Sequence, residues 1–166
     1  MTSTTPTGLT DQRIAIVRRA FELIDASDPA LLDLYTDDVE LYFPKFGVGH
    51  GKQDMAEFAQ RLWADLSTLE HDIDGLDIMV AGERIIVEGR EWGTTADGRR
   101  WPDQRVSTGR FCNVFTFRGT LISAVHIYVD PDFTSSHEQK VLQLHRGDDT
   151  NDQARLRYPA KTAERP

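Results

Sequence analysis

The sequence contains little cysteine, since Cys112 is the only one in 166 residues. A single cysteine cannot form a disulfide within the chain, so we expect a fold without a disulfide scaffold and a reducing location, the cytoplasm. No apolar run is long enough to span a bilayer, and residues 1–8 have neither the basic cluster nor the apolar run of a secretory signal. We therefore expect no membrane partner.

An excess of positive charge is also lacking. The chain has 19 Lys and Arg residues against 27 Asp and Glu residues, a formal net charge of −8. Such a balance repels a phosphate backbone, so we expect no nucleic-acid partner.

The five histidines show no tight two-ligand spacing with a third partner. We therefore expect no metal site and no cofactor.

The composition that is present is typical of one globular domain. Hydrophobic residues make up 39% of the chain and charged residues 28%, and the length suffices for a single core. We predict a disordered leader over residues 1–8 and one domain over residues 9–133. Polar residues dominate from 134 to 166, where we predict an extension that is partly helical and then disordered.

Three helices are predicted in the N-terminal half. Apolar residues recur at helical spacing from Thr10, as the N-cap, to about Ser27. Asp28 followed by Pro29 predicts a short helical segment through Leu34. A third helix follows a glycine-rich loop. Its predicted apolar face consists of Met55, Phe58, Ala59, Leu62 and Trp63.

The rest of the domain predicts a curved sheet. A first strand covers residues 39–44, and four further runs at 73–80, 84–95, 105–117 and 121–129 are separated by hairpin signals. Such a meander has one face to cover, and the helices are available to cover it. Glycines inside the long strands permit strong curvature. We predict an α+β fold, a cone-shaped curved antiparallel sheet wrapped around three N-terminal helices and enclosing a cavity.

This order of elements resembles the nuclear transport factor 2-like (NTF2-like) superfamily, which includes ketosteroid isomerase, limonene epoxide hydrolase, scytalone dehydratase and SnoaL-like polyketide cyclases. The resemblance covers roughly residues 9 to 133 and implies architecture more than chemistry. The segments that carry it are FELIDASD at 21–28, LYTDDV at 34–39, GHGK at 49–52, FTFRG at 115–119 and YVDP at 128–131.

When the active-site positions of the family are carried over one by one, each known activity lacks at least one of its key residues in this sequence. In ketosteroid isomerases the general base would fall on Phe43, the first-helix tyrosine on Phe21 and the protonated acid on Asn113. Limonene epoxide hydrolases place an arginine between two aspartates, and only the arginine has a match, Arg90. The two aspartates fall on Trp92 and Ile127, and the acid of SnoaL-like cyclases falls at or next to Ile127.

Glu88 and Arg90 are the sharpest chemical feature of the sequence. The match of Arg90 implies that both residues face the cavity side by side. There the Glu88 carboxylate would be a general base, and Arg90 and Asn113 would be its electrophilic partners. The alternatives remain open that Glu88 and Arg90 lie on a solvated sheet face and that Asn113 is a core amide bonded to the backbone. The predicted substrate-binding residues are Phe21, Phe43, His50, Trp92, Phe111, Phe115 and Ile127.

A polar trio on the last strand is predicted to face away from the cavity. His126, Tyr128 and Asp130 share one strand face and taken alone resemble an acid–base site. The resemblance points the alternate residues of that strand inward instead, so the trio falls on the outer face, where sheets of this fold pair as homodimers. A register slip of one residue would reverse this assignment.

The leading functional hypothesis is a SnoaL-like enzyme that performs cofactor-free acid–base chemistry: cyclisation, isomerisation, hydration or dehydration. Its substrate would be a hydrophobic polyketide-, steroid- or terpenoid-like molecule. The alternative is a non-catalytic binding module that holds an apolar ligand in the same cavity. A third hypothesis is an interaction protein that pairs through its open sheet face.

Overall fold

The computed structural model describes residues 8–44, 47–103 and 107–130. The predicted leader, apart from Gly8, and the predicted extension over 134–166 lie outside the described residues. The proposed domain limits therefore stay predictions.

The three predicted helices are present. Helix α1 covers Leu9–Asp25 and begins after Gly8 rather than at Thr10. A 3₁₀ helix covers Pro29–Leu34, and helix α2 covers Gly51–Asp65. The 3₁₀ helix begins where predicted because the Asp28 carboxylate accepts a hydrogen bond of 2.9 Å from the Ala30 backbone N–H. In the described part of the chain, neither α-helix combines the length and hydrophobicity that crossing a membrane requires.

The described residues form eight strands in one curved sheet. The strand order is β2-β1-β8-β7-β5-β3, and β4 and β6 pair with β5. All pairs are antiparallel except β1 with β8, which is parallel. The strands are β1 Tyr35–Phe43, β2 Gly47–His50, β3 Leu66–His71, β4 Asp77–Ala81, β5 Arg84–Thr95, β6 Arg100–Trp101, β7 Arg110–Arg118 and β8 Leu121–Val129. The predicted α+β cone is confirmed.

Strand β5 organises this sheet because it changes partners along its length. Its first half, residues 84–90, lies between β4 and β7. Its second half, residues 91–95, pairs with β3, and Gly93 and Thr94 also pair with β6. The change of partners brings β3, which directly follows α2, into the sheet. The middle of β5 is thereby the point where the strand passes from pairing with β7, at Arg90, to pairing with β3, at Glu91.

The main core lies between α1 and the concave face of the sheet. Phe21 of α1 is fully buried, with its ring centroid 5.3 Å from that of Phe111 and 5.9 Å from that of Phe115. This packing fixes the position of the C-terminal end of α1 over the sheet. The largest fully buried side chains are Phe21, Phe115, Phe117, Ile85, Ile122, Val17, Val39, Val87 and Val125.

We expect Gly93→Ala to destabilise the fold, because an added Cβ would lie 2.2 Å from the Thr68 carbonyl oxygen and 2.8 Å from Cζ3 of Trp101. A backbone atom cannot move aside cheaply, so the free energy of unfolding should fall by about 2 kcal/mol or more. Urea denaturation followed by circular dichroism measures the change.

Gly98→Ala is the matched control. Gly98 has a φ of +86° and nothing within 4 Å of an added Cβ, so backbone strain alone should cost roughly 1 kcal/mol. Equal stability of the two variants would contradict the close approach of β3 and β5.

Candidate functional site

A cavity of about 500 Å³ lies between helix α2, the 3₁₀ helix and the concave face of the sheet. Its volume is in the range of small-molecule sites. The predicted apolar face of α2 lines it, with Phe43, Phe115 and Ile127 on the sheet side. The helix side chains concerned are Met55, Phe58, Ala59, Leu62 and Trp63.

Two facing polar side chains interrupt this apolar wall. His71, the last residue of β3, pairs in register with Glu91 of β5, and both line the cavity. Nε2 of His71 lies 3.3 Å from Oε2 of Glu91. The side chains are 5% and 11% exposed, respectively. A carboxylate and an imidazole thus lie together in surroundings with little access to water.

Asp25, the last residue of α1, holds His71 from the other side. Its Oδ1 lies 2.5 Å from Nδ1 of His71, and its Oδ2 accepts a 2.9 Å hydrogen bond from the His71 backbone N–H. The rings of Phe21 and Phe111 pack on the imidazole, with centroids 4.8 and 5.3 Å away. The orientation of the His71 ring is therefore fixed by both hydrogen bonds and packing.

The two carboxylates favour the protonated form of His71. Burial by itself lowers the pKa of the imidazole, but hydrogen bonds and charge interactions with Asp25 and Glu91 outweigh it and raise the pKa from 6.5 to about 9. At neutral pH the site therefore contains an imidazolium between two acidic side chains. We call Asp25, His71 and Glu91 the ionic cluster.

The ionic cluster is not arranged as a metal centre. Both ring nitrogens of His71 already contact carboxylate oxygens. Within residues 8–44, 47–103 and 107–130, no group of three or more His, Cys, Asp or Glu side chains could hold a metal ion.

Asn113 lies where the sequence places it. It lines the cavity from β7 with 6% of its surface exposed. Its Oδ1 is buried and has no hydrogen-bond partner among the described residues. The amide oxygen is therefore not bonded to the backbone of the described residues.

The expected inward orientation of Glu88 and Arg90 is wrong. Glu88 is exposed, Arg90 is half-buried, and neither lines the cavity. The buried residues of this part of β5 are Ile85 and Val87, so alternation brings Glu91 to the inner face and sends Glu88 to the outer one. The sequence prediction assumed that Arg90 faces the cavity, and this assumption assigned every residue of β5 to the wrong face.

The predicted substrate-binding residues separate into two groups. Phe43, Phe115 and Ile127 line the cavity. Phe21 and Phe111 do not line it, because they are buried against His71 in the core.

Trp92 and His50 require correction. Trp92 is half-buried outside the cavity, and its indole N–H donates to Glu70 at 3.1 Å. His50 is exposed at the start of α2, where its backbone N–H donates to Asp54. Neither residue is among those that line the cavity.

The outward orientation of the polar trio on β8 is confirmed for His126 and Tyr128. Val125, Ile127 and Val129 line the cavity. His126 lies on the opposite face, where its Nε2 is 3.5 Å from Oε1 of Glu40 and its ring packs against the ring of Tyr42. Asp130, just past the end of β8, accepts hydrogen bonds from Ser107 and Thr108. The trio is therefore not part of the cavity.

Sequence reasoning missed the ionic cluster entirely. No strand is predicted over residues 66–71, although β3 carries His71. The pattern of charges on β5 could have predicted which of its faces is buried. Arg84, Glu88 and Arg90 share one face of the strand, and a face with several charged residues is typically exposed to solvent. The opposite face, which carries Glu91, is then the inner one.

The curved sheet and the covering helices have the NTF2-like fold, and comparisons with solved structures agree. An NTF2-like protein of unknown function from Burkholderia pseudomallei is 19% identical, with a TM-score of 0.62 over 81% of this chain and 95% of that one. An NTF2-like protein from Anabaena variabilis is 22% identical, with a TM-score of 0.62 over 78% and 97%. A proposed polyketide cyclase from Xanthomonas campestris is 16% identical, with a TM-score of 0.62 over 82% and 99%.

The family itself is shown by the sequence. Residues 17–125 match the SnoaL-like domain model, which is more than half of the chain. The protein therefore belongs to the SnoaL-like domain family. No curated protein matches the chain.

We expect the ionic cluster to make stability depend on pH. The pKa of His71 is raised from 6.5 to about 9 on folding, so its contribution is complete below pH 6.5 and is lost as the pH rises through about 9. The free energy of unfolding should fall across this window by about 3 kcal/mol. Urea denaturation at a series of pH values measures it.

His71→Gln should remove this dependence, because glutamine does not titrate. His126→Gln, which changes a half-exposed histidine on the outer face, is the control and should keep the wild-type profile. The same pH profile in wild type and His71→Gln would contradict the ionic cluster.

Proposed function

We propose that this SnoaL-like protein is an enzyme that performs acid–base chemistry on a hydrophobic small molecule bound in the cavity, without a cofactor. The observation that carries the proposal is the ionic cluster, two members of which, His71 and Glu91, lie in a largely apolar cavity wall. The apolar side chains of α2 and the sheet suit a polyketide-, steroid- or terpenoid-like body. Cyclisation, isomerisation and hydration or dehydration all need the proton transfers that the cluster could provide.

Glu91 is the proposed general base. Its carboxylate lines the cavity and is only 11% exposed, so a bound substrate would meet it with little competing water. It is the carboxylate of the ionic cluster that lines the cavity, so it is the group placed to accept a proton from a bound substrate. Glu91 thereby takes the role that the sequence assigned to Glu88.

His71 is the proposed acid and Asp25 its positioning residue. The protonated Nε2 of His71 faces Glu91 at 3.3 Å, so it could donate to an oxygen of the substrate as negative charge develops there. Asp25, at 2.5 Å from Nδ1, orients the ring and stabilises its charge. A histidine oriented by a carboxylate on its far nitrogen is a recurring arrangement in acid–base sites.

A non-catalytic binding module is the second candidate. It is favoured by the fact that both ring nitrogens of His71 contact carboxylates within the protein. In that case the cluster would hold α1, β3 and β5 together, and the cavity would bind an apolar ligand without changing it.

A general-base probe separates the two candidates without knowledge of the natural substrate. 5-Nitrobenzisoxazole is a small neutral aromatic compound. When a base removes its ring C–H proton, its N–O bond breaks and a coloured cyanophenolate forms. We expect the protein to accelerate this reaction and Glu91→Gln to lower the rate by about 100-fold.

Glu88→Gln is the matched control, because it makes the same change on the same strand but on the outer face. It should keep the wild-type rate. Full activity of Glu91→Gln would remove Glu91 from the mechanism. Binding of the probe without any acceleration would favour the binding module.

A homodimer in the cytoplasm remains part of the proposal. The outer sheet face presents Tyr42, His126 and Tyr128 as an aromatic cluster, with Tyr128 44% exposed, which supports pairing through this face. The cytoplasmic assignment is supported by the single cysteine. Analytical ultracentrifugation tests the dimer, and a purely monomeric protein would contradict it.

A further inference from the structure

Asn113 carries a polar atom that the protein itself leaves unsatisfied. The side chain lines the cavity and 6% of the residue is exposed. Its Oδ1 is buried without a hydrogen-bond partner among the described residues. Leaving an amide oxygen unpaired in such surroundings is unfavourable, so a buried atom of this kind needs an explanation.

The neighbours of Asn113 on the sheet cannot supply the partner. In register, Asn113 faces Val87 on β5 and Ile127 on β8. Along its own strand the residues on the same face are Phe111 and Phe115. All four are hydrocarbon side chains, so no rotamer change among them can provide a donor. No described residue donates to Oδ1, so a molecule bound in the cavity is free to supply the donor.

We propose that Asn113 is a specificity-determining residue that accepts a hydrogen bond from a hydroxyl group of the ligand. This inference rests on the proposed function only in that it uses the same cavity, and it narrows the ligand class to apolar molecules with at least one hydroxyl. The hydroxyl would sit at the middle of the sheet, between the side chains of Ile127 and Phe115.

The chemistry of the amide oxygen defines what is rejected. Oδ1 is an acceptor, so a ketone, an ether or a carboxylate beside it has no proton to donate to it, and only the N–H₂ of the same amide could bind such an oxygen. A site with a buried polar group discriminates strongly against the analogue that lacks its partner.

A residue kept for ligand recognition should lower the stability of the free protein. Leucine has nearly the shape of asparagine but no polar atom, and the surroundings of Asn113 are apolar. Asn113→Leu should therefore melt at a higher temperature than wild type, by roughly 2–4 °C. An amide that made structural hydrogen bonds would give the opposite result, a lower melting temperature.

Three bicyclic probes of similar size test the recognition directly. 2-Naphthol carries the hydroxyl, 2-methoxynaphthalene carries an acceptor only, and 2-methylnaphthalene carries neither. Wild-type protein should bind 2-naphthol roughly tenfold or more tightly than the other two. Titration calorimetry or probe fluorescence measures the three dissociation constants.

Substitutions test which residue is responsible for the preference for 2-naphthol. Asn113→Leu should bind the three probes with equal affinity, and Asn113→Ala gives the same test if the leucine variant does not fold. Glu88→Gln should keep the wild-type preference. Persistence of the preference in Asn113→Leu, with its loss in Glu91→Gln, would place the hydroxyl at the ionic cluster and overturn the assignment to Asn113.

The outcomes also separate this inference from the proposed function. Equal binding of all three probes to the wild type would overturn the role of Asn113, while base catalysis of 5-nitrobenzisoxazole by Glu91 could still stand. Failure of every probe to bind would overturn both the role of Asn113 and the use of the cavity as a ligand site.

Discussion

A histidine cation between two carboxylates joins three separate elements of the fold. Asp25 ends α1, His71 ends β3 and Glu91 lies in the middle of β5. Removing one member of a buried charged cluster leaves the other charges without a counter-charge, which lowers the free energy of unfolding by roughly 3–5 kcal/mol. Since the aromatic rings of Phe21 and Phe111 also pack on His71, the cluster and the core hold each other in place. The polar side chains of His71 and Glu91 in the cavity wall are thus also part of the framework of the fold.

The same site depends on the register of β5. Alternation along this strand places Val87 and Glu91 on the inner face and Glu88 on the outer face. A shift of one residue would turn Glu91 to the outer face, away from His71 and the cavity. Pairing with β7 over residues 84–90 and the close approach of Gly93 to β3 resist such a shift. Backbone packing away from the cavity thereby determines which side chains of β5 line it.

Local patterns predict the elements of this fold better than they predict its site. The helices, the β5, β7 and β8 hairpins and the inward face of β8 follow from periodicity, capping and the family resemblance. Strand β3 does not, because its buried residues, Leu66 and Leu69, are three apart across a register shift and imitate helical spacing. Asp25 and His71 are 46 residues apart, so only the tertiary structure brings them together. The inward orientation of Asn113 could be predicted because apolar residues occupy alternate positions on both sides of it along β7.

The protonation state of His71 tests the central claim most directly. Nitrogen-15 NMR of the histidine rings, with the signals of His71 assigned from the His71→Gln spectrum, reports whether each ring nitrogen carries a proton. At about pH 8, between the ordinary value of 6.5 and the raised pKa of about 9, the ionic cluster predicts an imidazolium with both nitrogens protonated. A neutral ring with one unprotonated nitrogen at that pH would contradict it.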